Sequence, residues 1–257
     1  MSHQDYLLIE EHNPWIEVTL NRPKHFNTLS AGMVDALQHT LNDIAERQDL
    51  SCVILKAKGK AFSAGHDLKE MAANVEDTYY KQLFQQCSQL MQSIIQLPIP
   101  VIAEVQGVAT AAGCQLVATC DLAVASEQAK FAVSGINLGL FCSTPAVALS
   151  RSMAPKHAME MLLTGEFISA EAAQQKGLVN RITSAEGLSF ASRDLAANIG
   201  KKMPVAVKTG KAMFYPQLEK PLAEAYEFAS NYMVCNIMAA ETQVGISAFS
   251  NKKKPQS

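Results

Sequence analysis

Charge is scarce in this sequence. Asp, Glu, Lys and Arg make up 18% of its 257 residues, and 22 basic against 24 acidic side chains leave a net charge of −2. An average globular chain is about one quarter charged, so some surface is expected to be hidden in an oligomer interface or a ligand groove. Without a basic excess there is no field to attract a polyanion, which argues against nucleic acid as a partner. The one basic run, Lys252-Lys253-Lys254, reads as a solvated end rather than an RNA patch. Long apolar runs are missing as well. None approaches the roughly eighteen residues of a membrane span, so no membrane partner is expected. The polar start Met1-Ser2-His3-Gln4-Asp5 has neither a secretory nor an Arg-rich leader pattern, which predicts a cytoplasmic location.

Paired cysteines and metal-ligand spacings are also absent. Cys52, Cys87, Cys114, Cys120, Cys142 and Cys235 are scattered with no C-x-x-C pair. Segments such as Ser51-Cys52-Val53-Ile54-Leu55 predict reduced thiols buried as small hydrophobes. The six histidines form no i,i+4 pair, so no metal site is expected. The sequence contains no G-x-x-x-x-G-K-[ST], G-x-G-x-x-G or G-x-S-x-G string, leaving phosphate-loop, dinucleotide and α/β-hydrolase readings without support.

What the chain does contain is strands interleaved with crossover helices, followed by a helical final third. Tyr6–Glu11 and Trp15–Leu20 read as a hairpin around His12-Asn13-Pro14. Ser30 caps a helix running to about Arg47, with Met33, Leu37, Leu41 and Ile44 on one face. Cys52–Ala57, Val101–Val105 and Leu122–Ala125 read as short buried strands, and a long helix over 77–97 stops at Pro98 and Pro100. From Pro145 on the pattern is mainly helical, which gives an α/β core with a helical region.

Two small-residue strings fall where a strand meets a helix: Ser63-Ala64-Gly65-His66 and Ala112-Gly113-Cys114-Gln115. Small side chains there let main-chain N–H groups approach a ligand, and a helix N-terminus adds partial positive charge. Two such amides aimed at one carbonyl oxygen would form an oxyanion hole.

The longer strings carry a resemblance. Ala61-Phe62-Ser63-Ala64-Gly65-His66-Asp67-Leu68-Lys69-Glu70-Met71 is similar to the first signature of the crotonase (enoyl-CoA hydratase/isomerase) superfamily. The second follows in order, as Pro100–Gly107, Ala112-Gly113-Cys114-Gln115-Leu116 and Cys120–Ala125. Asn21-Arg22-Pro23 with Asn27, Leu163–Ala170, Gly177-Leu178-Val179 and Gly245–Phe249 also resemble the family, so the likeness covers nearly the whole chain. Asn137–Pro145 and Phe214-Tyr215 resemble one branch of it in particular.

The resemblance implies a ClpP-like α/β spiral of ββα units over residues 1–195, with a helical trimerisation region over 196–257. The assembly would be a homotrimer or a dimer of trimers. It implies acyl-CoA as ligand, no separate cofactor, and a thioester carbonyl held by the N–H groups of His66 and Ala112. Coenzyme A would contact Ala64, Asp67, Leu68 and Lys69, with Lys24, Phe249 and Lys252 near the nucleotide. The imidazole of His66 is given no role, because only its amide is mapped.

The chain departs from the family at the acid and base. Family hydratases use two glutamates, and the matching positions here are Gln115 and Gly135. An amide orients water but does not accept its proton at ordinary pH, and glycine has no side chain. Ser134, Asn137 and Cys142 are the candidate substitutes. Two readings follow: an acyl-CoA enzyme of the hydratase/isomerase type working through a thioester enolate, or a non-catalytic acyl-CoA binder. Isomerisation, thioester hydrolysis and decarboxylation are the other reactions considered.

Overall fold

The structure is a computed structural model that describes residues 5–252; the Lys252 side chain lies outside the described residues. Two sheets stack along a spiral. The larger runs β1 (Leu7–Glu11), β2 (Trp15–Leu20), β3 (Cys52–Ala57), β5 (Val101–Val105), β7 (Leu122–Ser126) and β10 (Arg181–Thr183), in that spatial order. The smaller runs β4 (Ala61–Ser63), β6 (Val108–Thr110), β8 (Lys130–Ala132) and β9 (Ile168–Ser169). Apart from the β1–β2 hairpin and β8–β9, neighbouring strands are parallel. Each turn of the spiral lays one long strand in the first sheet, one three-residue strand in the second, and then a helix.

Both faces of the first sheet are covered, so its strands are continuous apolar runs rather than alternating ones. In β3, Val53 and Leu55 point into the main core with Leu37, Leu41 and Ile44 of α1 (Ala31–Ala45) and Leu90 and Ile94 of α3 (Asp77–Gln96). Cys52 and Ile54 point the other way, with Ile102 and Val124, against Leu188 and Ala196 of α8 (Leu188–Gly200). This is the two-residue alternation of a strand. The Ser30 hydroxyl accepts from the Met33 amide and caps α1 as the sequence predicts.

After α5 (Ser143–Ser152), α6 (Pro155–Thr164) and α7 (Ala170–Gln175) comes α8, which contains residues 195 and 196, where the sequence divides core from helical region. Beyond it α9 (Pro204–Leu218) is tied to the core by Lys208, which donates to Gln48 at 2.9 Å, and by a polar cluster. Lys211 Nζ meets Asp121 Oδ2 at 2.6 Å and donates to the Ile94 and Ile99 carbonyls, while the Tyr215 hydroxyl donates to Asp121 Oδ1 at 2.7 Å. α10 (Leu222–Met238) leaves Tyr226, Met233 and Met238 each at least 70% exposed, and α11 (Ala240–Lys252) leaves Val244 and Phe249 exposed.

Outside the spiral's interior, Glu10, His12 and Glu17 bring three potential metal-ligand atoms within 4.8 Å of one another. Sequence spacing had given no such group, because the hairpin pairs Glu10 with Glu17 across strands. Glu17 is already occupied, however. Arg193 donates to both its oxygens at 2.6 and 3.0 Å, and Lys56 makes a further ion pair with it. Burial works upward on its carboxyl, yet the hydrogen bonds from Arg193 and Lys56 prevail and hold it at about 2. A cation arriving there would face two positive charges.

Candidate functional site

The small second sheet brings the two small-residue strings together. β4 and β6 are parallel neighbours, so the chain leaving β4 at Ser63 passes the start of α4 (Ala112–Thr119). The approach is close enough to require glycine at two positions. A Cβ on Gly113 would lie 2.2 Å from the Ser63 carbonyl oxygen. Gly65 has φ +84°, and a Cβ there would meet the Ala111 Cβ at 2.9 Å and the Ala112 nitrogen at 3.0 Å.

The loop is fastened from behind. Asn27, fully buried with φ 51°, donates to the carbonyls of Lys58 and Ala61 at 2.9 Å and accepts from the Arg22 amide at 2.8 Å. The Ser63 hydroxyl donates to the Asn27 carbonyl at 2.9 Å, and the Leu29 amide donates to the Gly65 carbonyl at 2.8 Å. At the head of α4, Ala111 holds φ 51° and ψ −122°, a conformation costly for a residue with a Cβ. No side chain caps that helix. Neither the His66 N–H nor the Ala112 N–H has a protein acceptor among the described residues. Both residues line one cavity of ≈ 310 Å³.

That cavity has an apolar wall. Leu68, Met71 and Phe84 face it on one side and Leu138, Leu140, Phe141 and Pro145 on the other. No Asp, Glu, Lys or Arg is among the residues that line it. The other polar side chains are Ser134, Cys142, Ser143, Thr144 and His66.

The structure sorts the sequence-predicted residues. His66, Ala112, Ala64, Leu68, Ser134, Gly135 and Cys142 line the cavity together. Gln115 is 4% exposed, does not line it, and leaves its Oε1 without a hydrogen-bond partner among the described residues. Asn137 also falls outside: it is exposed and packs beside Gly165, so it is not placed to substitute for a lost carboxylate. Asp67 caps α2 (Leu68–Ala73), accepting from the Lys69 and Glu70 amides at 3.0 and 3.2 Å and from Thr28 at 3.2 Å. Burial would raise its carboxyl, but the hydrogen bonds from the Glu70 amide and Thr28 outweigh it and hold it below the usual range. Lys24 and Lys69 are exposed and outside the cavity, as is Phe249 on α11.

Gly135 is more than a missing side chain. It lies in a short 3-10 turn, Ser134–Leu138, and Leu140 returns to donate its amide to the Gly135 carbonyl at 3.0 Å. A Cβ on Gly135 would lie 2.7 Å from the Leu140 carbonyl oxygen and 2.7 Å from Cys142 Sγ. The space a glutamate would need is occupied by main chain. Cys142 is 7% exposed, and burial pushes its thiol up, away from the thiolate. Ser134 shares a hydrogen bond of 2.9 Å with Thr110.

The resemblance maps only the amide of His66, and its ring is held by neighbours of its own. Nδ1 lies 3.1 Å from the Leu29 carbonyl oxygen and the ring meets Phe84 edge-on at 5.5 Å. Nε2 is buried with no partner, and burial lowers the pKa below 6.5. No spacing pattern carries this signal, since Leu29 lies far upstream in sequence.

Comparisons with known proteins show the family and the fold. The enoyl-CoA hydratase/isomerase family profile matches residues 10–257. Enoyl-CoA hydratase domain-containing protein 3 of Xenopus laevis is 42% identical over 255 residues, covering 99% of this chain and 87% of that protein. An enoyl-CoA hydratase from Mycobacterium smegmatis superposes with TM-score 0.95 at 50% identity, covering 98% of each chain. Human enoyl-CoA hydratase domain-containing protein 3 superposes with TM-score 0.93 at 43% identity, over 98% of this chain and 100% of that one. This is the branch that Asn137–Pro145 and Phe214-Tyr215 resemble. The frog, rat, mouse and human relatives are mitochondrial proteins, which overturns the cytoplasmic location read from the polar start. A folded domain's composition carries no address, and the polar start Met1-Ser2-His3-Gln4-Asp5 carries none either.

Proposed function

The chain belongs to the enoyl-CoA hydratase/isomerase family, and on that premise we propose that its cavity binds an acyl-CoA thioester whose carbonyl oxygen is held by the His66 and Ala112 amides. The observation that carries this reading is the pair of N–H groups without protein acceptors at one apolar cavity, beside Gly65. Two preorganised donors of this kind are worth a few kcal/mol to an enolate or its transition state, about 3 kcal/mol for each one removed. Ala64 and Leu68 flank the thioester, and coenzyme A runs on past Asp67 toward Lys24 and Lys69, with Phe249 and Lys252 at the nucleotide. The ligand brings its own coenzyme, so the reading needs no separate cofactor. The exposed apolar faces of α10 and α11 fit burial in a homotrimer or a dimer of trimers.

Ordinary hydration is not the favoured reaction. It needs a water deprotonated and a proton delivered to the α-carbon, and neither Gln115 nor Gly135 does either. Titration calorimetry with free CoA and with butanoyl-, hexanoyl- and decanoyl-CoA tests the binding. The thioesters are expected to bind at least tenfold more tightly than free CoA, and no binding of any of them would sink the reading. Crotonyl-CoA hydration is expected to fall at least 10²-fold below that of a hydratase holding both glutamates. A purely binding role is the second reading, favoured by the main chain packed against Gly135.

A further inference from the structure

The apolar wall of the cavity does not stop at its mouth. Leu68, Leu138, Leu140 and Phe141 all line it, and they are also between 38 and 69% exposed. Single exposed apolar side chains are ordinary on a protein surface, whereas a group gathered at the rim of one cavity marks a ligand groove. The exposed side chains of α10 and α11 are a separate matter, since none of them lines this cavity. The local chain explains the rim. The turn of residues 134–138 ends at Gly139, which takes φ +80° with open space where a Cβ would stand. The Gly139 amide donates to the Ile136 carbonyl and the Leu140 amide to the Gly135 carbonyl, each at 3.0 Å. The chain therefore reverses around Gly139, and the flanking leucines reach the cavity mouth rather than the buried core. This return packs the Leu140 carbonyl against Gly135, where a Cβ would lie 2.7 Å from its oxygen. The glycine that removes a family glutamate is thus the one that admits the turn carrying Leu138 and Leu140.

We propose that this rim carries the far end of a long acyl tail, so that the protein selects acyl-CoA thioesters of about ten carbons or more, with Leu138 and Leu140 as the specificity-determining side chains. This rests on the acyl-CoA reading above and names the tail that reading leaves open. The volume sets where the rim begins to matter. A space of ≈ 310 Å³ holds on the order of ten non-hydrogen atoms at about 30 Å³ each. The carbon, oxygen and sulfur of the thioester use part of it, so about seven tail carbons fit inside. An octanoyl chain fills the enclosed part. Longer chains emerge between Leu68 on α2 and the leucines of the turn, which cover one side of each further methylene.

The test is titration calorimetry over the saturated even-numbered series from butanoyl-CoA to dodecanoyl-CoA, below micelle-forming concentrations. A fully buried methylene is worth about fourfold in affinity, and one covered on a single side about twofold. The wild-type protein is therefore expected to gain about fourfold per methylene up to octanoyl-CoA and about twofold per methylene beyond it. From octanoyl- to dodecanoyl-CoA that is about 16-fold. In the double variant Leu138→Ser with Leu140→Ser this last gain is expected to shrink below about fourfold, and Leu138→Met with Leu140→Met should restore it. A wild-type affinity that levels off at or before octanoyl-CoA overturns the proposal whether or not the variants fold. An undiminished gain in the serine variant overturns it too. So does a change of oligomeric state in that variant on size-exclusion chromatography, which would assign the rim to a subunit interface. Binding that ignores tail length sinks this proposal and leaves the acyl-CoA reading standing, whereas no binding of any thioester removes both.

Discussion

The two sides of the cavity are built differently. On one side stand the loops of residues 63–67 and 111–115, where the useful groups are main-chain amides and the side chains behind them hold the main chain still. Asn27, Ser63 and the Cβ-free contacts of Gly65 and Gly113 all serve to fix those loops. On the other side stands the segment of residues 134–142, where a family hydratase presents a side chain and this protein presents a turn packed on Gly135. A main-chain device survives substitution at its own position, because every residue brings an amide. A side-chain device is lost in one step, and the space it leaves can be refilled. Under the proposed function, that asymmetry is how a thioester cradle would persist without the family's acid and base.

The largest effect expected from testing this contrast is at Gly113. Gly113→Ala sets a methyl 2.2 Å from the Ser63 carbonyl, and main chain cannot swing aside as a side chain would. A loss of about 3 kcal/mol in urea unfolding is expected, together with loss of acyl-CoA binding; full tolerance would mean that the loops are not held rigidly. Next comes Asn27→Ala, which removes a donor from the Lys58 and Ala61 carbonyls, of which Ala61 keeps the Gln106 side chain. About 2–3 kcal/mol should be lost, with thioester affinity falling more than affinity for free CoA.

On the opposite side the expected cost is smaller and the functional result negative. Gly135→Ala should cost about 1–3 kcal/mol, and Cys142→Ala should recover only part of it, because the Leu140 carbonyl stays in place. Gln115→Glu with Gly135→Glu should therefore not restore crotonyl-CoA hydration. If hydration appears, the turn yields readily and the two sides are less different than their geometry implies. The smallest expected effect is a pH slope. Burial lowers the His66 pKa in the folded protein, so its contribution to stability is full above its unfolded value of about 6.5 and is lost as pH falls toward the folded value. Urea midpoints at pH 7.5 and 5.5 should differ less in His66→Phe than in the wild-type protein.

Much of the first sheet was legible in the sequence. Trp15–Leu20, Cys52–Ala57 and Val101–Val105 are observed with the bounds their apolar runs suggest, and α3 ends one residue before its expected stop. The second sheet was not legible. β4 and β6 adjoin the small-residue strings and, like β8, gave no strand signal, because a three-residue strand is too short to show a period. Those strands align the two amides, so sequence alone located the motifs without the means that join them. Gln115 and Gly135 could be named as departures, but the turn packed on Gly135 depends on where Leu140 and Cys142 fold back. The same limit hid the His66 ring, whose partner Leu29 is reached only through the folded loop.

The uncharged lining also governs how the cavity exchanges solvent for ligand. A volume of ≈ 310 Å³ has room for roughly ten water molecules at about 30 Å³ each, and a largely apolar wall gives most of them few partners. Such water is displaced with a gain in free energy by hydrocarbon, whereas well-bonded water is not. An acyl tail ending in a carboxylate would instead shed its hydration where no Lys or Arg stands to receive it. The absence of charge that first marks the sequence thus sets a dry threshold at the cavity, crossed more easily by a plain hydrocarbon tail than by an ionised one.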